Sequence, residues 1–159
     1  MSNPLSSRLE KGQFFWRRVY HKTLMLRNVQ IVGSIESCDK HVECTLQLDP
    51  SHQRQIQQVE ACIIDNLGNE YLKSECTPES RLRGRLHIHR KKILTTIYDP
   101  QDRPCTYSDV PENGRVDIKI TMDSIWSHRN YYPNYVYKWK VNEIYALEKV
   151  VSVGSNPAG

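Results

Sequence analysis

The chain has 159 residues and a formal charge of +4, with 25% charged residues, a size that suits one domain around one hydrophobic core. No apolar run approaches the roughly 20 residues of a membrane-crossing helix, and the P-loop, GxSxG, HExxH and dinucleotide-binding glycine patterns are absent. The net charge is mild, but its distribution is uneven. Met1 to Arg27 holds six Lys/Arg against one acid, Arg81 to Lys92 holds six against none, and Glu43 to Glu79 holds seven acids against two bases. Such segregation points to one electropositive face; the alternative is an ordinary solvated surface.

Met1 to Gly12 is polar and reads as loose chain. Phe14, Phe15 and Trp16 follow, flanked by Arg17 and Arg18. Residues 1–23 are therefore expected to form a partly flexible arm, 24–151 the domain, and 152–159 a flexible tail. The arm's aromatics have two readings. They dock on the domain, or they contact ligand or a neighbouring protomer, which would make the arm a route to self-association.

From Leu24 the pattern settles. Val29, Ile31, Gly33 and Ile35 alternate with Asn28, Gln30, Val32 and Ser34, Ser37-Cys38-Asp39-Lys40 reads as a turn, and Val42, Cys44, Leu46 and Leu48 alternate again. These two runs predict a β-hairpin. At Asp49-Pro50-Ser51 the period changes. Asp is a good N-cap and Pro suits the first helical position, where its missing N–H costs nothing. Ile56, Val59, Ile63 and Leu67 recur at helical spacing, and Gly68 stands where a helix should stop. The spacing predicts a helix from about Ser51 to Asn66. A strand over Val59 to Ile64 with a turn at 66–69 competes, but the caps at both ends favour the helix.

Glu70 to Glu79 is a connection with a short strand around Tyr71-Leu72. From Arg81 the alternation is strict: Leu82, Gly84, Leu86 and Ile88 on one side, Arg81, Arg83, Arg85, His87 and His89 on the other. Period two places all five basic groups on one strand face, with no acid nearby in sequence, and Arg90-Lys91-Lys92 extends the charge. The stripe faces solvent, with arginine stems covering apolar surface, or it faces a polyanion. Ile93, Leu94 and Ile97 begin a further apolar element, followed by a turn-rich loop from Tyr98 to Gly114.

Val116, Ile118, Ile120 and Met122 then form one strand face opposite Asp117, Lys119 and Thr121. In the last strand Tyr135, Tyr137, Trp139 and Val141 share a face opposite Val136, Lys138, Lys140 and Asn142. The apolar parity slips to Ile144 and Ala146, which predicts a β-bulge near Asn142-Glu143. Seven aromatics lie from Trp126 to Tyr145, and no acid falls between Asp123 and Glu143. The sum is a mainly β fold with one α-helix: an OB-like small β-barrel of five to six strands. The helix follows the first hairpin, whereas an ideal OB-fold carries it after the third strand.

Aromatics interleaved with Lys and Arg can stack on bases while neutralising phosphates. Arg81, Arg83, Arg85, His87, Lys91, Arg129, Lys138 and Lys140 are the phosphate candidates, and Trp126, Tyr131, Tyr132 and Tyr137 the stacking candidates; Trp139 is expected in the core. Phe14, Phe15, Trp16, Arg17 and Arg18 are candidate arm contacts. The expected partner is single-stranded nucleic acid, DNA or RNA. A non-catalytic protein-interaction or structural β-domain is the alternative, because aromatics and Arg are enriched at protein interfaces too. His87-x-His89 supplies only two metal ligands, so neither a metal nor another cofactor is expected. With no CxxC pair among five cysteines, and no apolar stretch of signal type in the first 25 residues, the thiols are expected to be reduced and the protein intracellular, in the nucleus or at a viral replication site.

The order of Arg85-Leu86-His87-Ile88-His89, Ile93-Leu94-Thr95-Thr96-Ile97-Tyr98-Asp99, Gly114-Arg115-Val116, Ile118-Lys119-Ile120, Ser124-Ile125-Trp126 and Trp139-Lys140-Val141-Asn142-Glu143-Ile144 resembles single-stranded DNA-binding proteins of large eukaryotic DNA viruses and related mobile elements. The resemblance covers roughly residues 49–147. It implies an OB-like sheet closed by the final strand, and sequence-tolerant binding of single strands in replication or recombination.

Overall fold

The computed structural model describes residues 6–9, 15–38, 41–67, 71–128 and 134–148. Its strands are β1 (Ser6–Leu9), β2 (Phe15–Cys38), β3 (His41–Gln47), β4 (Tyr71–Leu72), β5 (Arg81–Leu86), β6 (Ile88–His89), β7 (Lys92–Ile93), β8 (Thr96–Tyr98), β9 (Arg115–His128), β10 (Asn134–Tyr137) and β11 (Trp139–Ala146). One helix, α1 (Pro50–Leu67), lies between β3 and β4, and a 3₁₀ turn spans Tyr107–Asp109.

Five of these strands close on themselves. β2 pairs with β3, β3 with β5, β5 with β11, β11 with β9, and β9 with β2. All contacts in the ring are antiparallel except β5–β11, which is parallel. A closed ring removes the exposed edges of an open sheet. This is the expected OB-like barrel, and α1 does follow the first hairpin. The remaining strands are short additions. β1 extends the sheet beside β2, β10 beside β9, and β4 beside β10.

The alternating residues behave as their period requires. Val29, Ile31, Ile35, Val42, Cys44, Leu46, Leu82, Leu86, Ile118, Ile120 and Val141 are buried and form one core. The predicted bulge is present as a register shift between Val141 and Glu143, after which Ile144 and Ala146 turn inward. A second shift in β2, between Val32 and Glu36, contains Gly33 at φ +71°, a conformation open to glycine. It docks the loop before β9: the Gly33 N–H donates to Asn113 Oδ1 at 2.7 Å, and the Asn113 N–H returns a bond to the Gly33 carbonyl at 2.8 Å.

Helix α1 begins as its caps predict. The His52 N–H donates to Asp49 Oδ1 at 3.0 Å, and the Asp49 N–H donates back to His52 Nδ1 at 3.1 Å. Ile56, Val59 and Ile63 then face the core; Gly68 lies outside the described residues. On the polar face of β9, Thr121 is buried, its hydroxyl 3.1 Å from that of Thr23. β2 runs from Phe15, and its backbone pairs along β9 from His128 onward. Among the described residues no helix is long and apolar enough to cross a membrane. Cys44, Cys62, Cys76 and Cys105 are free thiols; burial pushes that of Cys44 up to about 12.

Candidate nucleic-acid interface

The inward turn of Leu82, Gly84 and Leu86 leaves Arg81 and Arg83 exposed and Arg85 half-buried on the outer face of β5. The strand stops there. The His87 N–H is taken by Thr95 Oγ1 at 2.7 Å, and that hydroxyl donates to the Val141 carbonyl at 2.6 Å. His87 therefore leaves the strand, and His89 stands on the separate β6–β7 hairpin. The five basic groups do not share one strand face, because the Thr95 clamp redirects the chain after Leu86.

Nor is the row without an acid. Glu43 lies opposite Arg85 in the β3–β5 register. Its Oε2 is 3.6 Å from Arg83 Nε and its Oε1 3.4 Å from Arg85 Nε. Arg81 Nε donates to Gln47 Oε1 at 3.2 Å. One carboxylate thus orients two of three arginines and leaves net positive charge. Glu43 is far from the row in sequence, and only strand pairing brings it there.

Lys140 is the parallel neighbour of Arg85 on β11 and faces Thr121 of β9 on its other side. Together Arg85, His87, Trp126, Lys138 and Lys140 line one open cleft of about 340 Å³. It therefore gathers basic and aromatic candidates from β5, β9 and the β10–β11 stretch. Lys138 also lines a second cleft of about 630 Å³ with Lys73, Arg81 and Arg83. The two clefts thus meet at Lys138 and run along the arginine row.

Acids tether the lysines. Lys140 Nζ is 3.1 Å from Asp123 Oδ2, and Lys138 Nζ is 3.4 Å from Glu75. Asp123 also lies 3.0 Å from His21 Nδ1. Partial burial would raise the Asp123 carboxyl, but the hydrogen bonds and charges of Lys140 and His21 outweigh it and hold the group below its ordinary value. The cleft is thus mixed in charge, with its cations held in place. The sequence gives no sign of His21, Glu43, Glu75 or Asp123 as neighbours of the site.

The structure places Tyr137, a stacking candidate, in the core. It is fully buried, its hydroxyl donates to Glu60 Oε2 at 2.7 Å, and its ring meets that of Trp139 edge-on at 5.7 Å. Tyr135, Tyr137, Trp139 and Val141 all turn inward because they share one parity. Trp126 is half-buried and lines the cleft. Lys91 lines neither cleft and sits at the tip of the β6–β7 hairpin. Arg129, Tyr131 and Tyr132, with Phe14 of the arm, lie outside the described residues. The backbone of Arg17 pairs opposite Trp126, Arg18 opposite Ile125, Trp16 opposite Ser127 and Phe15 opposite His128, so these arm residues run beside the strand that carries Trp126. Among the described residues no group of three His, Cys, Asp or Glu is arranged to hold a metal ion.

No family model matches the chain, and no curated protein matches it. Solved structures do. The chain superposes on gp2.5, a single-stranded DNA binding protein encoded by bacteriophage T7, with TM-score 0.54 and 9% identity, covering 86% of this chain and 91% of that one. A single-stranded DNA-binding protein from bacteriophage Enc34 is matched with TM-score 0.49 and 11% identity, over 99% of this chain and 97% of that one. At 9% identity the match to the T7 protein is one of fold: the chain is built on the same OB-like architecture.

Proposed function

We propose that this protein binds single-stranded DNA with little sequence preference, without catalysis, through the paired clefts on the outer face of β5, β9 and β11. The carrying observation is the convergence of Arg85, His87, Trp126, Lys138 and Lys140 on one cleft continuous with Arg81 and Arg83. Cations along a groove with an aromatic at its wall supply what a single strand needs: phosphate neutralisation and a stacking platform. The place in the fold agrees. β3 and β5 are the second and third barrel strands, whose outer face carries oligonucleotides in OB-folds. A solved structure that shares the fold is itself a single-stranded DNA binding protein. The resemblance to viral and mobile-element proteins extends this reading to replication or recombination, inside the cell. RNA is the competing ligand, since the phosphate and stacking terms are common to both.

Fluorescence anisotropy with a labelled oligonucleotide tests this. Affinity should be highest at about 50 mM salt and fall steeply by about 200 mM as released counterions oppose binding. Absence of binding at the lower salt overturns the proposal.

A further inference from the structure

Six non-glycine residues among those described have positive φ: Asn28, Ser80, Arg90, Lys91, Asp102 and Asn113. Four of them are Asn, Asp or Ser, short polar residues suited to turns, and Asn and Asp tolerate this region best. Arg90 and Lys91 do not fit that pattern. They are consecutive, at φ +50° and +65°, and form the whole loop between β6 and β7, where Ile88 pairs with Ile93 and His89 with Lys92. Two successive positive φ values mark the tight hairpin loop that favours Asn-Gly. The chain carries two long cations there instead, against its local backbone preference, and strain of this kind concentrates at functional sites.

The hairpin is anchored. The Leu94 N–H donates to the His87 carbonyl at 2.7 Å, and Thr95 ties His87 to Val141 of the barrel. It begins where the arginine row of β5 ends. Arg90, Lys91 and Lys92 are exposed and form no ion pair with the described residues. Beneath the tip lies a cleft of about 590 Å³ walled by Val42, Ile88, Ile93 and Tyr107, with His41 and Lys91 among its polar groups and no acid in its lining. Tyr107 is fixed there by its 3₁₀ turn: the Val110 N–H donates to the Tyr107 carbonyl at 3.3 Å, and the Thr106 N–H to Asp109 Oδ2 at 2.9 Å.

We propose that this hairpin and cleft form a further nucleotide subsite, a continuation of the arginine row that rests on the DNA-binding reading above. One base of the bound strand enters the apolar cleft and stacks on Tyr107, while its flanking phosphates meet Arg90 and Lys91. The strained loop keeps its cations because they hold phosphate, and Asn-Gly would fold better there and bind worse.

The test replaces the loop with the residues its backbone favours, Arg90→Asn with Lys91→Gly, and separately makes Tyr107→Leu, which keeps apolar cover and removes the stacking face. Thermal midpoints are measured, and anisotropy titrations with a labelled oligothymidylate are run across a salt series. The loop variant should melt about 2–4 °C or more above the parent while its log-log salt slope shrinks by about 1.4, from two lost phosphate contacts at about 0.7 each. Tyr107→Leu should keep the parental slope and lose about five-fold or more in affinity, the effect of one lost stack. A folded loop variant with parental affinity and slope overturns the subsite alone. If the parent protein fails to bind at all, the underlying DNA-binding reading falls with it.

Discussion

The Tyr137 hydroxyl donates a 2.7 Å hydrogen bond to Glu60 Oε2, joining β10 to α1 through two buried side chains. Ser74 Oγ donates to the other oxygen of Glu60 at 3.1 Å. Burial, and then the Glu60 charge, push the Tyr137 hydroxyl far above its ordinary pKa, so it remains a donor at any working pH. Tyr137→Phe deletes that donor and strands a buried acceptor, which costs about 1–3 kcal/mol. Urea denaturation should show the loss, and single-strand affinity should stay at the parental value because the ring never meets solvent.

Gly84 sits where β5 is squeezed between β3 and β11. A Cβ there would lie 2.8 Å from Val141 Cγ2 and 3.6 Å from Cys44 Sγ. Both neighbours are buried core side chains, so Gly84→Ala overpacks the barrel and should cost about 1–3 kcal/mol. The urea midpoint should drop with the slope of the transition unchanged.

Glu43 is the acid that offsets the arginine row. Glu43→Gln releases Arg83 and Arg85 from their 3.6 and 3.4 Å pairs. Because such partly exposed pairs are worth less than about 1 kcal/mol, the fold should barely weaken. Affinity for a labelled single strand at low salt should rise. Unchanged or weaker binding by the folded variant would show that Glu43 does not compete with phosphate for the arginines.

Acid should destabilise the protein in a defined window. The Asp99 carboxyl is held low first by the Arg103 backbone N–H, Asp49 by the His52 N–H, and Asp123 by Lys140 and His21 against its burial. A lowered folded-state value means that the unfolded chain binds more protons between the two values. The resulting stability is complete above the ordinary carboxylate value of about 3.9 and is lost as pH falls through the lower folded values. Urea midpoints at pH 7, 4 and 3 should show little change over the first interval and a decline over the second, smaller in Asp99→Asn.

The barrel was legible because period-two alternation is a local signal. Val29 to Leu48, Leu82 to Leu86 and Val116 to Met122 each mark their inward residues without help from other strands. The helix was legible from Asp49 and Pro50, and the bulge near Glu143 from a slip in parity. Cross-strand facts were hidden. Glu43 meets Arg85, and Asp123 meets Lys140, through registers that no local pattern encodes. The end of the basic strand at Leu86 was hidden as well, because it depends on Thr95 reaching Val141. Tyr137 could have been placed correctly from its own parity with Trp139, since both belong to the inward series that ends at Val141. Composition had suggested an aromatic surface where the alternation already required a core.

The most direct measurement of the central claim compares two charge-matched variants in salt-dependent single-strand binding. Arg85→Gln with Lys140→Gln removes the neighbouring cations of the main cleft. Arg27→Gln with Arg103→Gln removes two cations that line neither groove cleft and pair with Asp117 and Asp99. If the strand lies in the cleft, the first variant loses about 1.4 from its log-log salt slope, at about 0.7 per phosphate contact, while the second keeps the parental slope. A parental slope in the first variant, or equal losses in both, would contradict the proposed interface.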